Sequence, residues 1–189
     1  VTAQKPPSTR LSVNDWLQAG YTLLAEQGGR ALKVESLCQQ IGATRGSFYW
    51  HFEDMDSYRA ALVETWNAFL ARDRQSLESL DALPPRERLS AMMTTLVSPQ
   101  HWMLERAMRE WARTDPIAAE NVRQADRLLL RAVAKAYCDY GFSPEDARLR
   151  AELTFAAGIG LLHLAGSAAQ AQRVAPQQRL LELMLADPT

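Results

Sequence analysis

The apolar positions of this chain recur every three to four residues along most of its length, which is the period of an amphipathic helix. Such runs extend from Val13 to Leu24 and from Tyr58 to Leu80. Ser, Thr or Asp residues suited to cap a helix, together with glycines and prolines, bound the runs. We find no convincing strand pattern. The pattern therefore predicts an all-α protein of nine or so helices.

Turn and cap residues predict where these helices begin and end. Ser12 is predicted to cap the first helix, which ends at Gly28 and Gly29, and Asp54 or Asp56 to cap a long fourth helix. The Leu83-Pro84-Pro85 segment ends that fourth helix. The later helices are expected to open at Pro84 or Pro85, Pro99, Pro116, Pro144 and Pro176. We expect a head over residues 1–54, with 1–11 as a flexible arm, and a helical domain over 55–189.

Residues 37–52, with the sequence LCQQIGATRGSFYWHF, have the pattern of a helix-turn-helix. Leu37 and Ile41 give one helix an inward face, Gly42 permits a tight turn, and Thr44 can cap the next helix. That next helix, Arg45 to Trp50, carries small and polar residues suited to face a ligand. Such a recognition helix usually lies in the major groove of DNA.

Composition narrows the class of protein without identifying it. The 189 residues include 21 Lys and Arg against 22 Asp and Glu, so overall charge alone does not indicate a nucleic-acid-binding protein. Residues 1–52 hold five basic and three acidic side chains, which is a mild basic excess. Cys38 and Cys138 have no metal or disulfide spacing, and both are expected to be buried thiols in a reducing compartment.

The segment from Val34 to Phe52 resembles the DNA-binding head of the TetR family of bacterial transcriptional regulators. The resemblance rests on the Gly42-to-Tyr49 turn and helix, and on the Trp50-His51-Phe52 ending. Residues 109–116 and 141–147 also look like segments of one branch of that family. The resemblance implies a head of three helices, joined by a long fourth helix to a C-terminal helical domain for ligand binding and dimerisation.

The resemblance further implies a homodimer that binds a palindromic operator and represses until a small molecule enters the C-terminal domain. Residues at family DNA-contact positions, or with side chains suited to phosphate or bases, are Arg10, Lys33, Thr44, Arg45, Gly46, Ser47, Tyr49, Trp50 and His51. The chain departs from the family in having Met55 where a phosphate-binding Lys is common, and Glu35 where a basic residue is frequent. Arg10, Lys33 and Arg45 are therefore expected to supply more of the attraction.

Large polarisable side chains in the C-terminal part are candidates for an effector pocket. Methionine and tryptophan fill irregular spaces and suit apolar or aromatic ligands, although such residues at helical spacing more often form core. The predicted ligand-binding residues are Phe69, Met92, Trp102, Met103, Met108, Trp111 and Tyr137. His101, Tyr137 and Cys138 are candidate polar anchors. The predicted effector is small and largely apolar or aromatic.

No charge interrupts residues 153–172, which is about the length of a membrane-spanning helix. Its many Ala and Gly residues, together with polar ones, predict instead a helix buried between protein surfaces, because small residues allow close backbone approach. We expect an interface of two copies of this helix and its neighbour. The predicted dimer contacts are Leu153, Ala156, Ala157, Gly160, Leu161 and Leu164. No membrane partner is expected.

Two function classes compete with DNA-binding regulation. An enzyme is disfavoured because the three histidines lie far apart and no catalytic or phosphate-binding motif is present, so we expect no catalytic residues, metal or cofactor. The other alternative is an all-α sensor of small molecules or proteins that does not bind DNA. The N-terminal arm lacks the apolar segment of a secretory signal. Together with the resemblance to the TetR family, this implies a cytoplasmic, nucleoid-associated bacterial protein.

Overall fold

The computed structural model describes residues 11–96, 99–164 and 177–186, and the prediction of an all-α fold is confirmed. Within these residues the α-helices are α1 (Val13–Gln27), α2 (Val34–Ile41), α3 (Arg45–His51), α4 (Met55–Ser79), α5 (Pro85–Leu96), α6 (Pro99–Ala112), α7 (Pro116–Tyr140), α8 (Pro144–Leu164) and α9 (Gln177–Leu185). Short 3-10 helices at Gly29–Ala31 and Leu80–Ala82 follow α1 and α4 and were not predicted.

The predicted caps form as expected. Ser12 and Asp15 make a reciprocal capping box at the start of α1, with the Asp15 carboxylate accepting the Ser12 backbone N–H at 2.7 Å. Asp54, rather than Asp56, caps α4 by accepting the Ser57 N–H at 2.7 Å. Local sequence therefore sets where these helices begin, since each cap satisfies backbone donors that would otherwise lack partners.

The three head helices pack onto the beginning of α4. The Tyr58 hydroxyl donates to the Trp16 carbonyl at 2.7 Å, and the Tyr21 hydroxyl donates to the Leu62 carbonyl at 2.7 Å. All four of these residues are buried. Two hydrogen bonds between buried groups therefore fix α4 against α1, at the point where the long helix leaves the head.

The head core continues without interruption into α6. Leu104, Met108 and Trp111 of α6 belong to the same buried cluster as the head residues. Gly29 makes the closest approach, because a Cβ built there would lie 2.5 Å from the Thr114 hydroxyl oxygen and 3.1 Å from the Trp111 ring. Head and C-terminal helices are thus joined by α4 and also by direct packing on α6.

A second buried cluster joins α5, α7, α8 and α9, and includes Leu89, Tyr137 and Ala151. The Tyr137 and Thr154 hydroxyls lie 2.8 Å apart and are buried, which links α7 to α8. Arg88, 5% exposed, pairs with Asp139 at 2.7 Å and so links α5 to α7.

Two further expectations concern the two cysteines and the uncharged stretch of residues 153–172. Cys38 is buried as predicted, but the prediction of a second buried thiol was wrong, because Cys138 lies on the exposed side of α7 near its end. Among the described residues, no helix combines the length and apolar character needed to cross a membrane. The uncharged stretch is described only as far as Leu164, and its remainder lies outside the described residues.

Candidate functional site

The turn between α2 and α3 has the geometry of a helix-turn-helix. Gly42 ends α2 with φ 66° and ψ 34°, a left-handed conformation that glycine adopts at little cost. Two residues later the Thr44 hydroxyl accepts the Ser47 N–H at 3.2 Å and caps α3. The chain therefore changes direction within the three residues between α2 and α3, and α3 starts immediately.

Buried aromatic residues determine which side of α3 faces outward. Phe48 is fully buried, with its ring centroid 5.4 Å from that of Trp16 and 5.5 Å from that of Tyr58, and Phe52 packs beside it at 5.3 Å. Both were expected in the core. Since residues three and four apart share a helix face, this anchoring turns the opposite face of α3 away from the protein.

The outward face carries most of the predicted DNA contacts. Tyr49 is 49% exposed and Trp50 is 64% exposed, which is unusual for aromatic residues beside a well-packed core. Lys33, Thr44, Arg45 and Gly46 are exposed, Ser47 and His51 are half-buried, and Arg10 lies outside the described residues. His51 packs edge-on against Trp50 with ring centroids 4.6 Å apart.

Arg45 is held within this surface by its neighbours. Its guanidinium lies 3.2 Å from the Glu35 carboxylate of α2, and both side chains are more than 60% exposed. A hydrogen bond with Tyr49, followed by the charge of Glu35, raises the pKa of Arg45 above its ordinary value. The ion pair is open to water and therefore weak, so Arg45 can exchange Glu35 for another partner at small cost.

A cavity of about 320 Å³ lies between α4, α6 and α7. Apolar side chains from α4 to α8 form part of its wall: Leu70, Leu77, Leu80, Leu128, Leu129 and Phe155. A second part of the wall is charged and contains Asp73, Arg74, Glu105, Arg109 and Asp126 together with His101. Volume and mixed lining suit one small organic molecule.

The charged wall is organised around Arg109. Its two terminal nitrogens donate to the Asp126 carboxylate at 2.6 and 3.1 Å, and one of them also lies 2.9 Å from Glu105. Burial raises the pKa of Glu105 above its ordinary value, although Arg109 and His101 act in the opposite direction. His101 lies 3.1 Å from Asp73 and 3.9 Å from Glu105, yet neither ring nitrogen has a hydrogen-bond partner.

Only one of the predicted pocket residues, Met92, lines this cavity. The other six lie elsewhere, either in the two buried clusters or, for Met103, half-buried on α6: Phe69, Trp102, Met103, Met108, Trp111 and Tyr137. Of the candidate polar anchors, His101 lines the cavity, whereas Tyr137 and Cys138 do not. The charged wall was missed, although His101, Glu105 and Arg109 follow one another at intervals of four on a single helix face.

The predicted dimer contacts form one stripe of α8. Leu153 is 49% exposed and Leu164 is 82% exposed; Ala156 is also exposed, while Ala157, Gly160 and Leu161 are half-buried. A Cβ built on Gly160 would meet no atom of the described residues within 4 Å, so packing among those residues does not require this glycine. Within the described residues, no three His, Cys, Asp or Glu side chains are placed to hold a metal ion.

The head of this chain matches a known protein family. Residues 17–62 match the family model described as bacterial regulatory proteins, tetR family. No curated protein sequence matches the chain. The matched segment runs from α1 into α4 and includes the whole helix-turn-helix.

Solved structures with the same fold cover nearly the whole chain. The ketosteroid transcriptional regulator KstR2 of Mycobacterium tuberculosis has a TM-score of 0.69 at 19% identity, over 98% of this chain and 97% of that one. A transcriptional regulator from Rhodococcus sp. Rha1 has a TM-score of 0.63 at 22% identity, over 92% of each chain. FadR from Bacillus subtilis, in complex with stearoyl-CoA, has a TM-score of 0.62 at 15% identity, over 94% and 100%. At these identities the likeness is one of fold.

Proposed function

This chain carries the N-terminal head of the TetR family of bacterial regulatory proteins, and on that premise we propose that it is a ligand-responsive, DNA-binding transcriptional regulator. It acts as a homodimer that represses from a palindromic operator and leaves the DNA when a small effector binds. The observation that carries the proposal is the exposed face of α3, where Arg45, Tyr49 and Trp50 project from a helix that Phe48 anchors.

The residues of this face form two groups, those suited to contact bases and those suited to contact phosphates. Arg45 has the fork geometry for guanine O6 and N7, and Gly46 lets the backbone approach a base pair. Thr44, Ser47 and the amides at the start of α3 suit phosphates, as does Lys33. Tyr49 and Trp50 add aromatic surface for thymine methyl groups or phosphate. Met55 and Glu35 add no positive charge, so base contacts and shape contribute more of the specificity.

The DNA-binding proposal is tested by fluorescence anisotropy on the DNA that flanks the protein's own gene, over a series of salt concentrations. Arg45→Ala is expected to weaken operator binding by about 1–3 kcal/mol, which is roughly 5- to 150-fold. Arg179→Ala is the matched control. Arg179 is exposed on α9, and its substitution removes the same charge at a position far along the chain from α3. Full affinity in the Arg45 variant would contradict the assigned role.

The same titration discriminates between function classes. Loss of binding as salt rises is expected because cationic side chains displace counterions from phosphates. If the protein bound no DNA even at low salt, an all-α sensor that uses its head to dock a protein would replace the regulator as the better explanation.

We propose that two copies associate through α8 and its neighbour α7 as a four-helix interface. The exposed Leu153 and Leu164, and the open space at Gly160, support this, because an apolar stripe with a small residue suits close helix approach. Light scattering is expected to show a dimer for the native protein and a monomer for Gly160→Leu. Arg148→Leu is the control, since it adds leucine at an exposed α8 position that is not three or four residues from any member of the stripe. A Gly160→Leu dimer would exclude this interface.

The effector is proposed to act through α4. Leu70, Asp73 and Leu77 of α4 line the cavity, and Tyr58 and Leu62 of the same helix pack under the head. A ligand that favours one tilt of α4 changes the separation of the two recognition helices, which must match half-sites one helical turn, about 34–36 Å, apart. Equal head separation in ligand-bound and DNA-competent forms, measured by spin-label distances, would refute this mechanism.

A further inference from the structure

We propose that the cavity between α4, α6 and α7 selects a small organic cation, a protonated amine on an apolar or aromatic body. Its ammonium group lies among Asp73, His101 and Glu105. The inference rests on the proposed regulatory function, because it assigns the chemical class of the effector. It also changes the expectation drawn from the sequence, which was an apolar or aromatic molecule without a required charge.

The first observation is the charge of the wall that faces the cavity. Asp73, Glu105 and Asp126 contribute three carboxylates, and of the two arginines among the described residues that line the cavity, Arg109 is the buried one. Arg74 also lines the cavity but is exposed to solvent, where its charge is screened. An entering carboxylate would therefore be repelled by a wall that carries more negative than positive charge at close range, whereas an ammonium group would be attracted to it.

The guanidinium of Arg109 is already engaged. Both terminal nitrogens donate to Asp126 and one of them also contacts Glu105, so a carboxylate or phosphate on the ligand would have to displace these partners to bind both nitrogens as a fork; the Nε–H has no hydrogen-bond partner among the described residues. A ligand anion would have to displace a buried ion pair. That displacement is costly because it strips a buried charge of its partner.

The second, independent observation is His101. This side chain is 9% exposed and borders the cavity; its Nδ1 lies 3.1 Å from an Asp73 carboxylate oxygen, but neither ring nitrogen makes a hydrogen bond of good geometry with the described residues. Buried polar atoms in native proteins usually have a partner, so these nitrogens indicate a group that binds here. A neutral imidazole accepts one hydrogen bond, and the two carboxylates beside it accept others.

The number of acceptors here equals the number of N–H donors on a primary ammonium group. A primary ammonium has three N–H donors and no acceptor, and Asp73, His101 and Glu105 offer three acceptor groups within one corner of the cavity. The remaining wall is apolar, with Leu70, Leu77 and Phe155 placed to cover a hydrocarbon body. A cavity of about 320 Å³ is large enough for one such molecule.

Calorimetric titration of the full-length protein with three probes of one carbon skeleton tests the proposal. The probes are phenylpropylamine, phenylpropanol and phenylpropionate, which differ at neutral pH in carrying a positive charge, no charge or a negative charge. The amine is expected to bind at least about tenfold more tightly than the alcohol, and the carboxylate most weakly. Equal or tighter binding of the alcohol or the carboxylate, or no binding of any probe at millimolar concentration, would overturn the proposal.

Two substitutions locate the preference. Asp73→Asn keeps the shape of the side chain and is expected to reduce the amine's advantage over the alcohol by roughly tenfold, while alcohol affinity stays the same. Glu105→Gln serves as a second variant on the opposite side of His101. Glu64→Gln is the control, an exposed carboxylate of α4 that does not line the cavity. An unchanged amine preference in both cavity variants, with both folded by circular dichroism, would place the cation elsewhere.

Failure of this inference is separable from failure of the proposed function. Operator binding is measured on the same protein without any probe. DNA binding without amine selectivity would overturn only the ligand class. Amine selectivity without DNA binding would support the cavity's assignment and overturn the regulatory role.

Discussion

Gly20 on α1 is the position where the head and α4 tolerate least change. A Cβ built there would lie 2.0 Å from the Tyr58 hydroxyl oxygen and 3.1 Å from the Tyr58 Cζ. The tyrosine cannot move aside freely, because it is fully buried and its hydroxyl donates to the Trp16 carbonyl at 2.7 Å. Gly20→Ala therefore forces a methyl group into occupied space, and the backbone of α1 or α4 has to shift.

The magnitude follows from two opposing contributions. Overpacking a well-filled core costs about 1–3 kcal/mol, and the fixed hydroxyl places this site toward the upper end of that range. Replacing glycine by alanine within a helix returns about 1 kcal/mol. The free energy of unfolding should thus fall by about 2 kcal/mol, or roughly 4–8 °C in Tm for a chain of this length.

A double-mutant cycle separates this steric effect from a general loss of stability. Tyr58→Phe removes one buried hydrogen bond and should cost about 1 kcal/mol by itself. In that background the closest atom to the new methyl group is Cζ, and Gly20→Ala should become nearly neutral. The two substitutions should therefore show a coupling of about 2 kcal/mol rather than add.

Urea unfolding followed by far-ultraviolet circular dichroism, at one fixed protein concentration, measures all four free energies. Gly46→Ala is the control, because its Cβ would meet only the Thr44 hydroxyl oxygen at an ordinary 3.8 Å, and it should leave stability unchanged or slightly raised. Additivity of Gly20→Ala and Tyr58→Phe within about 0.5 kcal/mol would refute the steric explanation.

Three further predictions concern local contacts. Thr44→Ala removes the cap of α3 and should lower the unfolding free energy by about 1 kcal/mol in the same urea assay. Thr44→Ser keeps a capping hydroxyl and should leave the unfolding free energy unchanged. Equal stability of the two variants would contradict the contribution of the cap. Tyr137→Phe leaves the buried Thr154 hydroxyl without its hydrogen bond to Tyr137 and should lower the unfolding free energy by about 1–3 kcal/mol. Adding Thr154→Val should recover most of that loss. A double variant no more stable than Tyr137→Phe alone would show that the hydrogen bond is not the cause. Hydrogen bonding from Lys135 lowers the pKa of Asp139 in the folded protein. The contribution of Asp139 to stability is therefore present above its unfolded-state pKa of about 3.9 and is lost as the pH falls. The difference in unfolding free energy between the native protein and Asp139→Asn should shrink below about pH 4, and a difference that grew on acidification would contradict this reasoning.

The parts of the fold that depend on neighbouring residues were predictable from the sequence. Ser12 and Thr44 each cap a helix as expected, and Gly42 makes the turn, because a cap or turn is settled within about four residues.

The cavity depended on contacts between distant segments. Trp111 and Met108 were expected to line a pocket, but α1 packs on that face of α6 and makes them core. Helical periodicity identifies an apolar face without indicating what covers it. The adjacent, charged face of α6 borders the cavity instead, and its pairing of Arg109 with Asp126 spans 17 residues of sequence.

The close approach at Gly29 has a consequence for building hybrid regulators. Moving this head onto the C-terminal helices of another protein would place a foreign side chain opposite residue 29. Any bulky group at the position of Thr114, or a side chain in place of the glycine, would push the recognition helix out of register with α4. A working hybrid therefore has to transfer the end of α6 and the residues that follow it through Thr114 together with the head, so that the transferable unit is longer than the helix-turn-helix.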